Sequence, residues 1–333
     1  MRPSSESSHR HPSVVVWQLV DKLGAIAVLV LILIGMSIFY ADFVTVDNLL
    51  TIGVQATTRA ILAIGVTLVI VSGGIDLSVG TGMSLCMVVM GVFAINWEQS
   101  MWLAGAMAIV TGAGIGLVNG SLIAFAGLPP FIATLGMLGI AQGIALMLSE
   151  GYSMYGFPAE FGFVAAGTAV GIPLPLIILA VIALLMAYVF KQTRLGRYSY
   201  AIGGNEEGAR RAGIPVRGIK IAIYVTAGAL VGAASIVLAS RINSAHPGIG
   251  FGYELDAIAA AVIGGASLQG GRGTVGGAII GALIMATIRF GLNVLGMSPF
   301  VQQIVIGAIL IAAVYLDIVR TRQEVRLSRL RAH

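Results

Sequence analysis

Residues 99–149 read QSMWLAGAMAIVTGAGIGLVNGSLIAFAGLPPFIATLGMLGIAQGIALMLS, 51 positions without one Asp, Glu, Lys or Arg. A helix that crosses a hydrocarbon core of about 30 Å needs about 20 apolar residues. The stretch is therefore too long for one span and long enough for two. Pro129–Pro130 divides it, because proline lacks the backbone donor and clashes with the preceding helical turn. The remaining sequence has the same character. Of 333 residues, 58% are apolar and 10% charged, against about 25% charged in a soluble domain. Mean hydropathy is +0.98. A water-soluble globule is excluded, and the fold class is an all-α integral membrane protein.

Working outward, charges and prolines mark the other spans at about 23–40, 57–75, 77–95, 172–190, 221–240, 254–269, 274–292 and 299–317, giving ten with the central pair. Arg59 is expected near the outer end of its span, snorkelling. The eighth is short and starts at Glu254 and Asp256. Of 19 Lys and Arg, three lie in 1–22, seven in 191–220 and five in 320–333. Such clusters collect on the cytoplasmic side. Six crossings return the chain to that side at Lys191, and four more return it at Arg320, so charge and parity agree. The expected organisation is a cytoplasmic tail 1–22, a transmembrane domain 23–319 and a cytoplasmic tail 320–333. The first span is uncleaved, since no small-residue cleavage site follows it. Residues 150–170 form an outer loop or a re-entrant piece.

Several functions are excluded. The polar segments of about 22, 30 and 14 residues are below the roughly 40 that a domain needs to fold unaided. None of the three lysines follows a glycine, so no phosphate-binding Gly-Lys-Ser/Thr loop exists. Four scattered histidines and the single Cys86 make neither a metal site nor a disulfide. No catalytic centre and no cofactor is expected; the +5 net charge is a topology signal, not a nucleic-acid signal. Energy for transport then comes from an ion gradient or from a partner.

The chain has 45 glycines, about twice the usual share of about 7%. Gly112, Gly116 and Gly120 lie one helical turn apart, as do Gly273, Gly277 and Gly281. Such ladders let helices approach closely in lipid or ease the movement of a gate helix. Gly73–Gly80 and Gly264–Gly271 agree at four of eight places, a weak internal similarity of the kind transporter halves carry.

Within 191–220, Asn205 suits a helix N-cap, and Glu206 and Glu207 occupy the first turn. Arg210 and Arg211 follow four residues after them, and Gly213 and Pro215 end the helix. Isolated helices under about 12 residues are marginal in water, so this one must rest on its own bundle or on another protein.

The string from Thr193 to Gly213 resembles the cytoplasmic coupling loop of ribose-type (monosaccharide) ABC importer permeases, in the branched-chain amino acid/ribose permease superfamily. Ser72–Gly80, Pro130–Gly136, Gly252–Ala260 and Gly264–Gly277 are similar to other segments of that family, in order, over about residues 50–317. The resemblance implies the ten-span type II importer fold in a bacterial plasma (inner) membrane, with both termini cytoplasmic. It implies a translocation subunit that is not itself an enzyme, passing a pentose, hexose or related polyol to the cytoplasm. The partners implied are a cytosolic ATP-binding subunit, a periplasmic or lipid-anchored sugar-binding protein and a second permease subunit, identical or not, in membrane lipid. Gly204, Asn205, Glu206, Glu207, Ala209, Arg210 and Gly213 would couple to the ATPase. Two positions depart from the pattern: Gln142 stands where arginine is common, and His246 where glutamine is usual.

Asp76 is the leading candidate for the pathway, because an acid in the membrane costs about 2.5–3.5 kcal/mol unless it faces a cavity or a partner. With Gly73, Gly74 and Ser78 it makes either a helix cap alone or a broken helix lining the pathway. Asn119, Thr134 and Gln142 sit in apolar spans, either lining the route or bonding between helices. Asn243, His246, Glu254 and Asp256 are candidates for an outer mouth or a docking surface for the binding protein. A gradient-driven secondary transporter with Asp76 as its coupling-ion site is the alternative.

Overall fold

The computed structural model describes residues 12–331, with side chains described for 24–315 and 317–319. Thirteen helices are α1 (Pro12–Phe39), α2 (Val46–Val71), α3 (Val79–Gly91), α4 (Met101–Ala124), α5 (Pro130–Leu148), α6 (Phe163–Ala166), α7 (Leu174–Gln192), α8 (Arg194–Gly204), α9 (Glu206–Arg211), α10 (Val216–Ile242), α11 (Tyr253–Ile263), α12 (Val275–Val294) and α13 (Pro299–Arg331). Among the described residues eight helices are long and apolar enough to cross a membrane: α2, α3 with the π-helical turn that extends it to Asn96, α4, α5, α7, α10, α12, and α13 over Pro299–Val319. In α1 the apolar part described is Gly24–Phe39. The expected tails meet helix on both sides, since α1 starts at Pro12 and α13 runs to Arg331; residues 1–11 and 332–333 of them lie outside the described residues.

Local chemistry sets the helix ends. Thr45, Ser100 and Thr274 accept from the backbone N–H of Asn48, Leu103 and Gly277 to start α2, α4 and α12. Proline occupies the first turn of α5 and α7, where its missing N–H costs nothing. Helix α2 ends with Gly73 left-handed at φ 81°, Gly74 N–H on the Val69 carbonyl and Gly73 N–H on that of Ile70. This is the Schellman arrangement. Helix α11 ends the same way at Gly265, as do α9 at Gly213 and α12 at Gly296. The weak likeness of 73–80 to 264–271 is therefore helix termination. The left-handed glycines, Gly73 and Gly265, are even offset by one place in that match.

Helix α2 runs through the centre of the bundle, buried from Ala56 to Val71. Helices α4 and α10 meet along a glycine seam. A Cβ at Gly112 would strike the Gly228 carbonyl, one at Gly116 the Tyr224 carbonyl, and one at Gly120 would lie 2.8 Å from the Ile221 Cα. In α12, Gly277 and Gly281 lie equally close to the Gly264 and Ala260 carbonyls. Gly273 lies before that helix. Both ladders are packing seams, which bring backbones together where lipid supplies no hydrophobic drive.

Two expectations about spans are corrected. Helix α2 starts at Val46, because Thr45 caps it and Asp47 suits its positive end; Arg59 is then near the middle of the helix and buried, not snorkelling. The eighth span, expected as a helix over 254–269, is a helix of only 11 residues, α11, about 16 Å long. A strap of one short strand followed by successive turns precedes it. It starts in β4 (Ser244–Ala245), paired with β1 (Met154–Tyr155). Ala245 packs on Gly91 of α3, Gly250 N–H donates to Ser84 Oγ (2.8 Å), and Gly250 and Glu254 reach Gly80. The strap thus descends along α3 over the 11 residues from Gly91 to Gly80, about 16 Å at 1.5 Å per residue. Strap and α11 together run from the far end of the bundle, where β4 pairs with β1, to the turn before α12.

Residues 150–170, with β1, the 3-10 turn Ala159–Gly162, α6 and β2 (Thr168–Ala169), which pairs with β3 (Ile172–Pro173), form a compact cap at the end where β1 meets β4. This is termed the far end. The opposite, basic end carries α8 and α9, the ends of α2, α4 and α11, and the starts of α5, α10 and α12; α3 starts inside the bundle, where Gly80 meets Glu254.

Candidate functional site

The break between α2 and α3 collects most of the polar candidates. Asp76 accepts from the Ser78 backbone N–H (2.8 Å) and hydroxyl (2.6 Å). Its carboxylate thus closes a turn onto the residue two ahead rather than capping the second or third N–H of α3. Asn119 of α4 donates to Ser78 Oγ (2.9 Å), and the Thr134 hydroxyl of α5 donates to the Ile75 carbonyl (3.2 Å). The candidates Gly73, Gly74, Asp76, Ser78, Asn119 and Thr134 therefore meet in one place. Sequence gave no reason to add Tyr224, yet its hydroxyl lies beside Gly74. Tyr224 OH and Asn119 Oδ1 are buried and unpartnered by other protein atoms, so this polar cluster holds unused hydrogen-bonding capacity. Gln142 is elsewhere: it lies two turns further along α5 and donates to the Pro247 carbonyl of the strap (3.2 Å).

The loop between α7 and α10 holds two helices where one was expected. In α9, Asn205 Oδ1 accepts from Gly208 N–H (2.8 Å), and Glu206–Arg210 (3.3 Å) and Glu207–Arg211 (3.2 Å) are paired. Exposed pairs of this spacing contribute only about 0.3–0.5 kcal/mol each. The helix is fixed instead by Ala209, buried against Ile202 and Val216, and by Lys220, which holds Glu206 at 2.8 Å. Glu207, Arg210 and Arg211 stay exposed. One face rests on the bundle while the other is open.

Helix α8 is the part the sequence reading missed. It joins both chain breaks. A Cβ on Gly203 would fall on the Val71 carbonyl oxygen and 2.7 Å from the Gly271 nitrogen. That carbonyl accepts the Gly271 N–H (2.8 Å). Tyr200 donates to the Gly273 carbonyl (2.6 Å), and burial pushes its phenol above the usual value. Thus α8, the end of α2 and the turn between α11 and α12 form one backbone-to-backbone junction. The available signal was the Gly203–Gly204 pair in an otherwise amphipathic stretch.

Glu254 and Asp256 are not at a mouth. Both are buried, at the start of α11, halfway through the bundle. Glu254 accepts from the Gly252 N–H. Asp256 accepts from Arg59 Nε (2.8 Å) and from Arg289 Nη2 (2.9 Å), and Arg59 lies over the Tyr253 ring, 5.1 Å from its centroid. Burial and pairing remove these carboxylates from any docking surface. Arg59 and Arg289 could have been found by asking which acids answer isolated intramembrane arginines. Asn243, left-handed at φ 49° where α10 ends, and His246, whose Nδ1 accepts from Gly248 N–H, remain exposed at the far end.

The α2–α3 break thus gathers a carboxylate, two hydroxyls and an amide, all buried, and main-chain contacts join it to the basic loop. Among the described residues no group of three or more His, Cys, Asp or Glu could hold a metal. The family model described as branched-chain amino acid transport system / permease component matches residues 48–314. The chain is 42% identical over 303 residues to the ribose import permease protein RbsC of Escherichia coli (strain K12), covering 90% of this chain and 94% of that protein. It is 36% identical to the D-allose transport system permease protein AlsC of the same strain (95% and 97% covered), and 37% identical to its L-arabinose transport system permease protein AraH (89% and 90% covered). No solved structure matches.

Proposed function

Because the chain belongs to the branched-chain amino acid transport system / permease component family, we propose that it is the transmembrane translocation subunit of an ATP-driven monosaccharide importer. The named relatives carry ribose, allose and arabinose in their names, which supports an aldose-type substrate. ATP hydrolysis belongs to a separate cytosolic subunit. A sugar-binding protein outside the membrane delivers the substrate, and a second permease subunit completes the channel. The basic end, with the seven cations of 191–220, faces the cytoplasm, and both termini lie on that side of a bacterial plasma membrane.

The observation that carries the mechanism is the α8 junction. On this reading the ATPase engages α9 through Glu206, Glu207 and Arg210, with Gly204, Asn205, Ala209 and Gly213 shaping that helix. Its movement passes through α8 to Val71 and Gly271, and so to the α2–α3 break. There Gly73 and Gly74 permit the break, and Asp76, Ser78, Asn119 and Thr134 offer hydroxyl, amide and carboxylate groups to a sugar in transit. Gln142 steadies the strap above them. Asn243 and His246 face the binding protein at the far end. Glu254 and Asp256 hold α11 inside the bundle.

Uptake of labelled ribose into proteoliposomes tests the assignment. Uptake should require the ATP-binding subunit, internal ATP and the loaded binding protein. Uptake driven by a proton or sodium gradient without them would overturn it and make Asp76 a coupling-ion site instead.

A further inference from the structure

A cavity of about 380 Å³ opens at the basic end, between the α4–α5 turn and the first turns of α10. Its ionic wall is Glu206, Arg210, Arg217 and Lys220, and its apolar wall includes Phe125 and Leu128. Three cations face one carboxylate. Glu206 is shared between Lys220 (2.8 Å) and Arg210 (3.3 Å). Arg217 is left with an aromatic contact only, its guanidinium 6.0 Å above the centre of the Phe125 ring; among the described residues no carboxylate pairs with it. Arg217 and Lys220 also stand in the first two turns of α10, at the positive end of the helix dipole, where anions are favoured and cations are not. The local field is positive and the protein supplies too little negative charge to answer it. On the apolar side, Phe125 and Leu128 of the wall are exposed, next to the spans of α4 and α5, which are mostly unburied.

We propose that this cavity is a binding site for one anionic phospholipid, its phosphate between Arg217 and Lys220 and an acyl chain along Phe125 and Leu128. A basic pocket between helices at the membrane surface suits such a headgroup. The apolar wall distinguishes the ligand from free phosphate, which has no use for it. A lipid held there would tie the α4–α5 turn to the loop that carries α9. The binding claim stands without the transport reading, since it needs only a basic cavity at a membrane surface.

The test uses the full-length permease, delipidated in detergent and examined by native mass spectrometry. Phosphatidylglycerol is titrated against phosphatidylcholine, with and without excess inorganic phosphate. The wild type should retain one phosphatidylglycerol under conditions that strip phosphatidylcholine, and inorganic phosphate should not displace it. Arg217→Gln should weaken retention about fivefold, the usual worth of one cation near an anionic membrane surface. Arg217→Lys should preserve most of it, and Phe125→Ala should weaken it with no change of charge. Arg194→Gln removes an equal charge from exposed α8 and should have no effect. Equal retention of the two lipids would overturn the proposal, and so would equal effects of the Arg194 and Arg217 substitutions. Displacement by inorganic phosphate would identify a plain anion site and overturn it as well.

Discussion

Asp256 is the position where one atom change should cost most. Its carboxylate is 1% exposed and receives Arg59 Nε at 2.8 Å and Arg289 Nη2 at 2.9 Å. Asp256→Asn keeps the shape and removes the charge, leaving two guanidinium groups facing an amide at mid-depth. Breaking a buried pair by removing one partner costs about 3–5 kcal/mol, a large part of a total stability of about 5–15 kcal/mol. For a chain of this length a loss of 1 kcal/mol lowers Tm by about 2 °C, so a fall of about 6–10 °C is expected. The assay is built in: Cys86 is the single cysteine and is buried in α3, so a thiol-reactive dye reports unfolding in detergent. The triple variant Arg59→Met, Asp256→Leu, Arg289→Met removes all three charges. It should recover most of the loss, because replacing a whole buried ionic group by apolar residues is often neutral or stabilising. Two results refute the reasoning: a melt of Asp256→Asn within about 1 °C of wild type, or a triple variant less stable than the single one.

Four further outcomes are expected. Gly203→Ala puts its Cβ on the Val71 carbonyl oxygen and 2.7 Å from the Gly271 nitrogen, so α8 must shift away from both, and should cut ATP-driven uptake more than tenfold while the ATPase stays bound; Gly218→Ala, with open space around its Cβ, should not. Gly116→Ala should destabilise by about 1–3 kcal/mol through overpacking, whereas Gly114→Ala, on an open face, should be neutral or stabilising by about 0.5–1 kcal/mol; thermal melts decide. Asp76→Asn keeps an acceptor for Ser78 and should fold normally with altered uptake, while Asp76→Ala strands a buried N–H at a cost of about 1–3 kcal/mol and should lower both stability and uptake. A cysteine at Gly208, in a Cys86→Ser background, should react with an impermeant reagent only from the cytoplasmic side, and labelling from outside would invert the topology.

Nine of the ten expected spans correspond to helices, because membrane insertion writes itself into composition: a long apolar run has no other use in this chain. The eighth is the exception, for the same reason. Ser244 to Gly252 carries no charge and no helical period, yet the strap satisfies its backbone with Ser84 and with the short ladder to β1, which no local pattern announces. Arg59 lies inside its span rather than at the edge because it answers an acid 197 residues away in sequence. Short-range features read more directly. The Asn205 cap, the two ion pairs of α9 and the stop at Gly213 are all present, since each depends on residues within one or two turns. The convergence of Asn119 and Thr134 on the Asp76 turn could not be read, because it depends on how three helices cross.

The way α8 and α9 are attached bears on how a permease without its own ATPase could be driven. Contacts through long side chains are compliant: Lys220 can follow Glu206 through several rotamers when α9 shifts. Contacts between main chains are not. At Gly203 the backbone of α8 lies against the Val71 carbonyl and the Gly271 N–H with no side chain between them, so a movement of α8 by a few tenths of an ångström must move one of the two breaks or separate the hydrogen bond that joins them. The soft contact is where a partner would dock and must tolerate its arrival. The stiff one lies between the loop and the turns that would open the route. A bulkier residue at Gly203 could preserve every ion pair of α9 and still sever the connection. For that reason loss of coupling at Gly203, with α9 intact, is a more specific test of the transmission path than any charge reversal on α9 itself.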